Sequence, residues 1–263
     1  MKWNSFIVLC SLAIAILLFA QRHESRGQQS NSVVVDLTHA LNDKAPANEY
    51  EAVEPLRIEN AATYAKNGYL ARTLTVPEQA GTHVDAPAYF MQGRWTTDQI
   101  PSERLIRPLA VLDVATKAKA NPDYRVSLED IAAWEKTHGH IALGSVVMAR
   151  TGWDERWQSA KEYRNADASG QPHFPGFTLE AARFLVEGRM AVGLGIDTMS
   201  VDGGGSKDFS VHRYCEGRSV YQVENVANLW QAPAAGATVV VAPAKIEGSS
   251  GAPARVMAMM NRR

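Results

Sequence analysis

Short apolar runs alternate with amphipathic stretches along the chain. Val33-Val34-Val35-Asp36-Leu37 predicts an opening strand, and residues 72–76 alternate with period two and predict another. Residues 109–114 are apolar around Asp113 and follow Pro108, the pattern of a buried strand. Residues 145–149, 190–196, 237–242 and 255–260 predict four more strands. Ser127-Leu128-Glu129-Asp130 opens a helix with Ser127 as N-cap and an acid at the third position; Ile131 and Trp134 continue it and Gly139 stops it. Thr178 caps a second helix with Ala181, Ala182, Leu185 and Val186 on its apolar face, and Gly188 ends it. Strands outnumber helices and several are continuously apolar. The expectation is an α/β domain whose sheet is covered on both faces. No repeat period and no internal linker divides residues 32–263, so they are read as one domain.

Composition narrows the class. Hydrophobic residues make up 46% and charged residues 21%, which excludes a disordered chain and a multi-pass membrane protein. A formal net charge of −1 leaves no electrostatic footprint for nucleic acid. The first residues form a separate segment: Lys2 precedes an uncharged, mostly apolar run over residues 6–20. That predicts a signal peptide over 1–20, a flexible polar linker over 21–31, and an exported protein, periplasmic or secreted. The run is short for a membrane span, and Leu18 stands where the cleavage rule prefers a small residue; an uncleaved leader would instead anchor the chain. No other membrane partner is expected. Cys10 and Cys215 are too few for a disulfide framework or a cysteine-based zinc site, and Cys215 reads as a small buried hydrophobe.

Chemistry concentrates after the second strand. His83 and Asp85 lie two apart, so an extended backbone turns both to one side, with Gln79 and Tyr89 in the same parity. Gly81 and Pro87 punctuate the segment and predict a shaped loop rather than a regular strand. One imidazole and one carboxylate at this spacing can hold a divalent metal, or can form a hydrogen-bonded pair in a capped turn. Far downstream, His212 and Glu224 are further ligand or acid–base candidates; the alternatives are a surface His and a Glu at a helix start.

The segment Gln79-Ala80-Gly81-Thr82-His83-Val84-Asp85-Ala86-Pro87-Ala88-Tyr89 resembles the His-x-Gly-Thr-His-x-Asp-x-Pro-x-His hallmark of the metal-dependent cyclase family, which includes kynurenine formamidase (arylformamidase) and isatin hydrolase. Similar segments follow in family order: Val35-Asp36-Leu37-Thr38-His39, Arg150-Thr151-Gly152-Trp153, Gly195-Ile196-Asp197-Thr198-Met199-Ser200-Val201-Asp202, His212, Glu224-Asn225 and Gly251-Ala252-Pro253-Ala254-Arg255. The resemblance implies a swivelling β/β/α fold, a mixed sheet with flanking helices, and a homo-oligomer. It implies hydrolysis of an amide or cyclic amide by a metal-activated water, and the expected small-molecule partner is an amide, cyclic imide or lactone. Carried over by position, His83 and Asp85 are metal ligands, and His212 and Glu224 are ligands or acid–base groups.

Two positions depart from the hallmark: Gln79 and Tyr89 stand where the family has His. Gln79 can ligate only through its amide oxygen, and Tyr89 is a poor base at neutral pH but can donate a hydrogen bond to an oxyanion. These departures imply one ion, zinc or manganese, rather than two. They leave His212 to move protons, and they leave open a non-catalytic exported binding protein that keeps the fold and one metal. Trp153 and Phe90 are candidates for an aryl pocket or for the core.

Overall fold

The apolar runs become strands packed on both sides. The computed structural model describes residues 32–42, 46 and 55–261. The expected leader over 1–20 and the expected linker over 21–31 lie outside them. The chain divides into a unit of Val34–Met260 and a unit of its two ends, Met1–Val33 with Asn261–Arg263. Of the end unit only Ser32, Val33 and Asn261 are described. No helix among the described residues is long and apolar enough to cross a membrane.

In chain order the strands are β1 (Ser32–Asp36), β2 (Arg57–Ala62), β3 (Ala71–Thr75), β4 (His83–Asp85), β5 (Ile106–Asp113), β6 (Arg125–Val126), β7 (Val146–Arg150), β8 (Gly176–Phe177), β9 (Gly193–Ile196), β10 (Tyr221–Glu224), β11 (Ala237–Pro243) and β12 (Gly251–Asn261). The helices are α1 (Tyr64–Asn67), α2 (Ala115–Ala120), α3 (Leu128–His138), α4 (Ala160–Arg164), α5 (Leu179–Arg183) and α6 (Ser210–Glu216). The main sheet runs β1-β12-β11-β5-β7-β9-β10-β4, and β4 also pairs with β12, which closes it into a barrel-like ring. Strands β5, β7, β9 and β10 are parallel neighbours; β4, β11 and β12 are antiparallel.

Alternation along β5 and β7 explains their continuous apolar runs. Leu109, Val111, Val146 and Met148 join one core with Val84, Tyr221, Val223, Val239 and Val256. Ala110, Leu112, Val147 and Ala149 join a second core with Ile131 and Trp134 of α3, Ala181 and Ala182 of α5, and Val211 and Cys215 of α6. The first core fills the ring and the second lies under the helices. Gly193 and Gly195 of β9 are required by the first: a Cβ on Gly193 would fall 2.6 Å from the Tyr221 ring, and one on Gly195 2.7 Å from Met148 Cγ.

The predicted helix starts are present. Ser127 N donates to Asp130 Oδ2 at 2.8 Å in a capping box, and Thr178 Oγ1 accepts from Ala181 N at 3.1 Å. The second helix is shorter than expected, because a π-helical turn over Phe184–Gly188 replaces its last part. The segment around His83 also differs from expectation: it is a strand, because β10 on one side and β12 on the other supply its partners. Neither partner is visible from the local sequence.

A third cluster, Trp153, Trp157, Tyr163, Phe174 and Met199, sits beside these cores. His39 stacks on Trp157, with ring centroids 4.0 Å apart and planes 8° from parallel. Burial holds the His39 pKa down to about 4, and its Nε2 has no hydrogen-bond partner. Between pH 6.5 and about 4 the unfolded chain therefore takes up a proton that the folded chain refuses. The stabilisation from the neutral ring is present above pH 6.5 and falls as the pH drops through this window. At pH 5 the loss attributable to His39 is about 1–2 kcal/mol relative to pH 7.5. Urea unfolding at the two pH values should show His39→Phe losing correspondingly less stability than the parent; equal losses would rule this out.

Candidate metal centre and its pocket

Register across β4 and β10 builds the site. Glu224 lies opposite His83, and Gln222 opposite Asp85. Val84 and Val223 point into the ring, so His83, Asp85, Gln222 and Glu224 turn to the other face. There α6 brings His212. The site thus joins residues about 140 positions apart.

Each imidazole is anchored through one nitrogen. His83 Nδ1 lies 2.9 Å from Gly81 O, a pure acceptor, so Nδ1 carries the proton and donates it. His212 Nδ1 lies 2.7 Å from Asp202 Oδ2. Both Nε2 atoms are left facing the carboxylates. His83 Nε2 is 3.5 Å from Asp85 Oδ2 and 3.6 Å from Glu224 Oε2. His212 Nε2 is 3.6 Å from Asp85 Oδ2 and 3.2 Å from Glu224 Oε1. Glu224 Oε1 is steadied by Val201 N at 2.7 Å, whereas neither oxygen of Asp85 has a hydrogen-bond partner. All four side chains are buried.

The electrostatics ask for positive charge. Burial opposes a charge on His83, but Asp85 and Glu224 outweigh it and lift its pKa to about 9. His212 is raised well above the ordinary imidazole range, with Glu224, Asp202 and Asp85 overcoming burial. Burial would raise Asp85, yet the two imidazoles pull it below the usual carboxylate range. Glu224 is raised by burial and by the charge of Asp85. With neutral imidazoles, Asp85 and Glu224 carry two negative charges that one divalent cation would match. One ligand atom each from His83, Asp85 and Glu224 lies within 4.8 Å of the others. An imidazole lone pair, two unpartnered carboxylate oxygens and a second carboxylate form a nitrogen–oxygen donor set that fits a divalent ion.

Support around these groups is dense. Asn225, directly after Glu224, holds a left-handed conformation with φ 53°. Its Nδ2 donates to Gly81 O at 2.8 Å, its Oδ1 accepts from Tyr163 Oη at 2.8 Å, and its carbonyl accepts from Thr82 Oγ1 at 2.6 Å. Strain at this position is thus tied to the loop that anchors His83. Asp202 accepts from the backbone of Val211 and His212 at 3.0 and 3.1 Å as well as from the His212 ring.

A pocket opens beside the centre, lined by Gln79, Tyr89, Phe90, Phe174, Met199 and Phe209 among others, with Asp85, His212 and Glu224 in its wall. All the site residues expected from sequence are therefore gathered here: Gln79, His83, Asp85, Tyr89, His212 and Glu224. Gln79 is 7% exposed, and its Nε2 has no partner. The Tyr89 ring lies 6.2 Å from that of His212. Phe90 lines the pocket, whereas Trp153 belongs to the core and donates its indole N–H to Tyr163 O at 2.7 Å. Cys215 is buried and its thiol is pushed up to about 12 by burial, so it is no nucleophile. The sequence reading assigned no role to Asp202, Asn225 or Glu216. A signal was present for the first two, which lie within or beside the quoted Gly195–Asp202 and Glu224-Asn225 segments.

Residues 35–203 match the model of the Cyclase family, and the chain belongs to that family. It is 32% identical over 242 residues to an isatin hydrolase of Roseibium aggregatum, an alignment covering 86% of this chain and 91% of the relative. Among solved structures it is similar to isatin hydrolase A from Labrenzia aggregata bound to benzyl benzoate, with TM-score 0.83, 33% identity, and coverage of 92% and 99% of the two chains. It is also similar to an isatin hydrolase bound to the product analogue thioisatinate, with TM-score 0.84, 29% identity, and coverage of 100% of both chains.

Proposed function

We propose that this protein is a metal-dependent hydrolase that opens the C–N bond of a small cyclic amide of the isatin class. The observation that carries this reading is the convergence of two anchored imidazoles on Asp85 and Glu224, at the wall of an aromatic pocket. A divalent ion held by His83, Asp85 and Glu224, with zinc and manganese as the candidates, would supply Lewis acidity to the scissile carbonyl and to water.

The remaining work falls to the chain's own residues. Gly81 O holds His83 in the tautomer that presents Nε2. His212, held by Asp202, takes a proton at Nε2 during attack and returns it to the departing ring nitrogen. Tyr89 donates a hydrogen bond to the oxygen that gains charge. Phe90, Phe174 and Phe209 receive the planar ring and exclude water. One water is consumed; the ring C–N bond breaks, giving a carboxylate and an amine. The apolar run over residues 6–20 supports an exported protein.

The test is turnover of isatin, with an aryl formamide and a lactone as comparators, by full-length protein supplied with manganese or zinc. Isatin opening is expected, with loss after exhaustive chelation and return on adding the metal. Cys215→Ser should stay within about threefold of the parent, because a thiol raised to about 12 supplies no thiolate at neutral pH. Activity that survives chelation, or metal binding without turnover of any of the three, would overturn the reading; the second outcome would identify a binding protein.

A further inference from the structure

Glu216 is fully buried at the C-terminal end of α6, one turn beyond His212. Its Oε2 accepts from the backbone N–H of Phe90 at 2.6 Å, and its Oε1 has no partner. Phe90 belongs to the turn that leaves β4 immediately after Asp85, where Tyr89 N donates to Ala86 O at 2.9 Å. The Phe90 ring lies 5.2 Å from Phe209 and 5.3 Å from His212, under the Arg213 guanidinium at 4.8 Å. Helix α6 and the residues at its start therefore hold this turn by its backbone and by its ring.

A buried carboxyl with one oxygen unsatisfied is an expensive way to fill space, and Met or Leu would occupy the same volume without that cost. What Glu216 adds is an acceptor aimed at one N–H of the pocket wall. We infer that Glu216 is a positioning residue: it fixes the Tyr89–Phe90 turn against the helix that carries His212, and so sets the width of the substrate pocket.

The kinetic part of the test rests on the hydrolase reading, and the exchange part does not. Full-length Glu216→Met and Glu216→Ala remove the acceptor, and Glu216→Gln keeps one. In the manganese-loaded protein, the two acceptor-less variants should raise KM for isatin about tenfold while kcat stays within about threefold and manganese content is unchanged, as expected for loss of one buried hydrogen bond at a binding wall. Glu216→Gln should restore KM to within about threefold of the parent. The Phe90 amide should exchange about tenfold faster or more in Glu216→Met and Glu216→Ala, and near the parental rate in Glu216→Gln.

Unchanged exchange at Phe90 overturns the inference whether or not isatin is hydrolysed. So does a loss of kcat in step with lost manganese, a Gln variant as impaired as the Met variant, or failure of both acceptor-less variants to fold. If the parent does not open isatin but exchange responds as expected, the hydrolase reading falls and the positioning role stands.

Discussion

Asp85→Asn should bring bound manganese or zinc from near one ion per chain to below about a tenth, and cut isatin opening by about 10³-fold or more. The substitution keeps the shape of the side chain and removes its charge. Asp85 sits between both imidazoles, 3.5 Å from His83 Nε2 and 3.6 Å from His212 Nε2, and its two oxygens have no hydrogen-bond partner to occupy them. An Asn amide offers one neutral oxygen in place of an anionic pair and turns an NH₂ toward groups that must accept an ion. His83→Ala should behave similarly, since it removes Nε2, the nitrogen left with a free lone pair facing the two carboxylates because the Nδ1 proton is donated to Gly81 O. The control is Arg255→Ala, which breaks only the exposed ion pair with Asp36. Elemental analysis after dialysis, with circular dichroism for the fold, reads the outcome. Parental metal content in Asp85→Asn would place the ion elsewhere.

The second large effect concerns a residue in the pocket wall that acts through His212. Asp202→Asn is expected to lower kcat by about 10²–10⁴-fold while leaving at least about half of the metal in place, because a carboxylate that fixes a catalytic imidazole's tautomer matters far more than its volume. Asp202 accepts from His212 Nδ1 at 2.7 Å, which requires the proton on Nδ1 and leaves Nε2 as the working atom beside Glu224. An Asn at 202 can turn its NH₂ to that nitrogen, which reverses the tautomer and sends an N–H toward Glu224. The carboxylate also accepts from Val211 N and His212 N, which an Asn oxygen can satisfy only in part, so a modest loss of stability accompanies the kinetic one. Asp202→Glu should not rescue, because the longer arm displaces the ring. A kcat within threefold of the parent in Asp202→Asn would show that His212 does not carry the proton.

Much of this architecture is legible in one dimension because it depends on local pattern. The continuous runs at 109–114 and 145–149 read as doubly covered strands, and their alternate residues do enter the two separate cores. Ser127 with Asp130, and Thr178, mark helix starts through bonds that reach only three residues. What local pattern cannot carry is pairing. His83–Asp85 looks like a loop because three residues flanked by Gly81 and Pro87 have no strand signature of their own, and their partners lie about 140 to 170 positions downstream. Glu224 stands in strand β10 rather than at a helix start, and nothing within Tyr221-Gln222-Val223-Glu224 announces that Gln222 and Glu224 share a face with Asp85 and His83. Asp202 and Glu216 were missed for the same reason. Each acts through a contact made by the fold, one on His212 and one on Phe90.

The three-residue strand β4 is where the ring closes, between β10 and β12. The ring's shortest strand is therefore also the one that bears His83 and Asp85. An ion gripping these two and Glu224 would span that seam and act as a clasp joining an early segment of the chain to a late one. Assembly of the centre then becomes a late event in folding, because no ligand set exists until distant segments have met. The same closure makes occupancy a gauge of intactness: a chain whose seam has parted loses its grip on the ion, so the site fills only after the ring is shut.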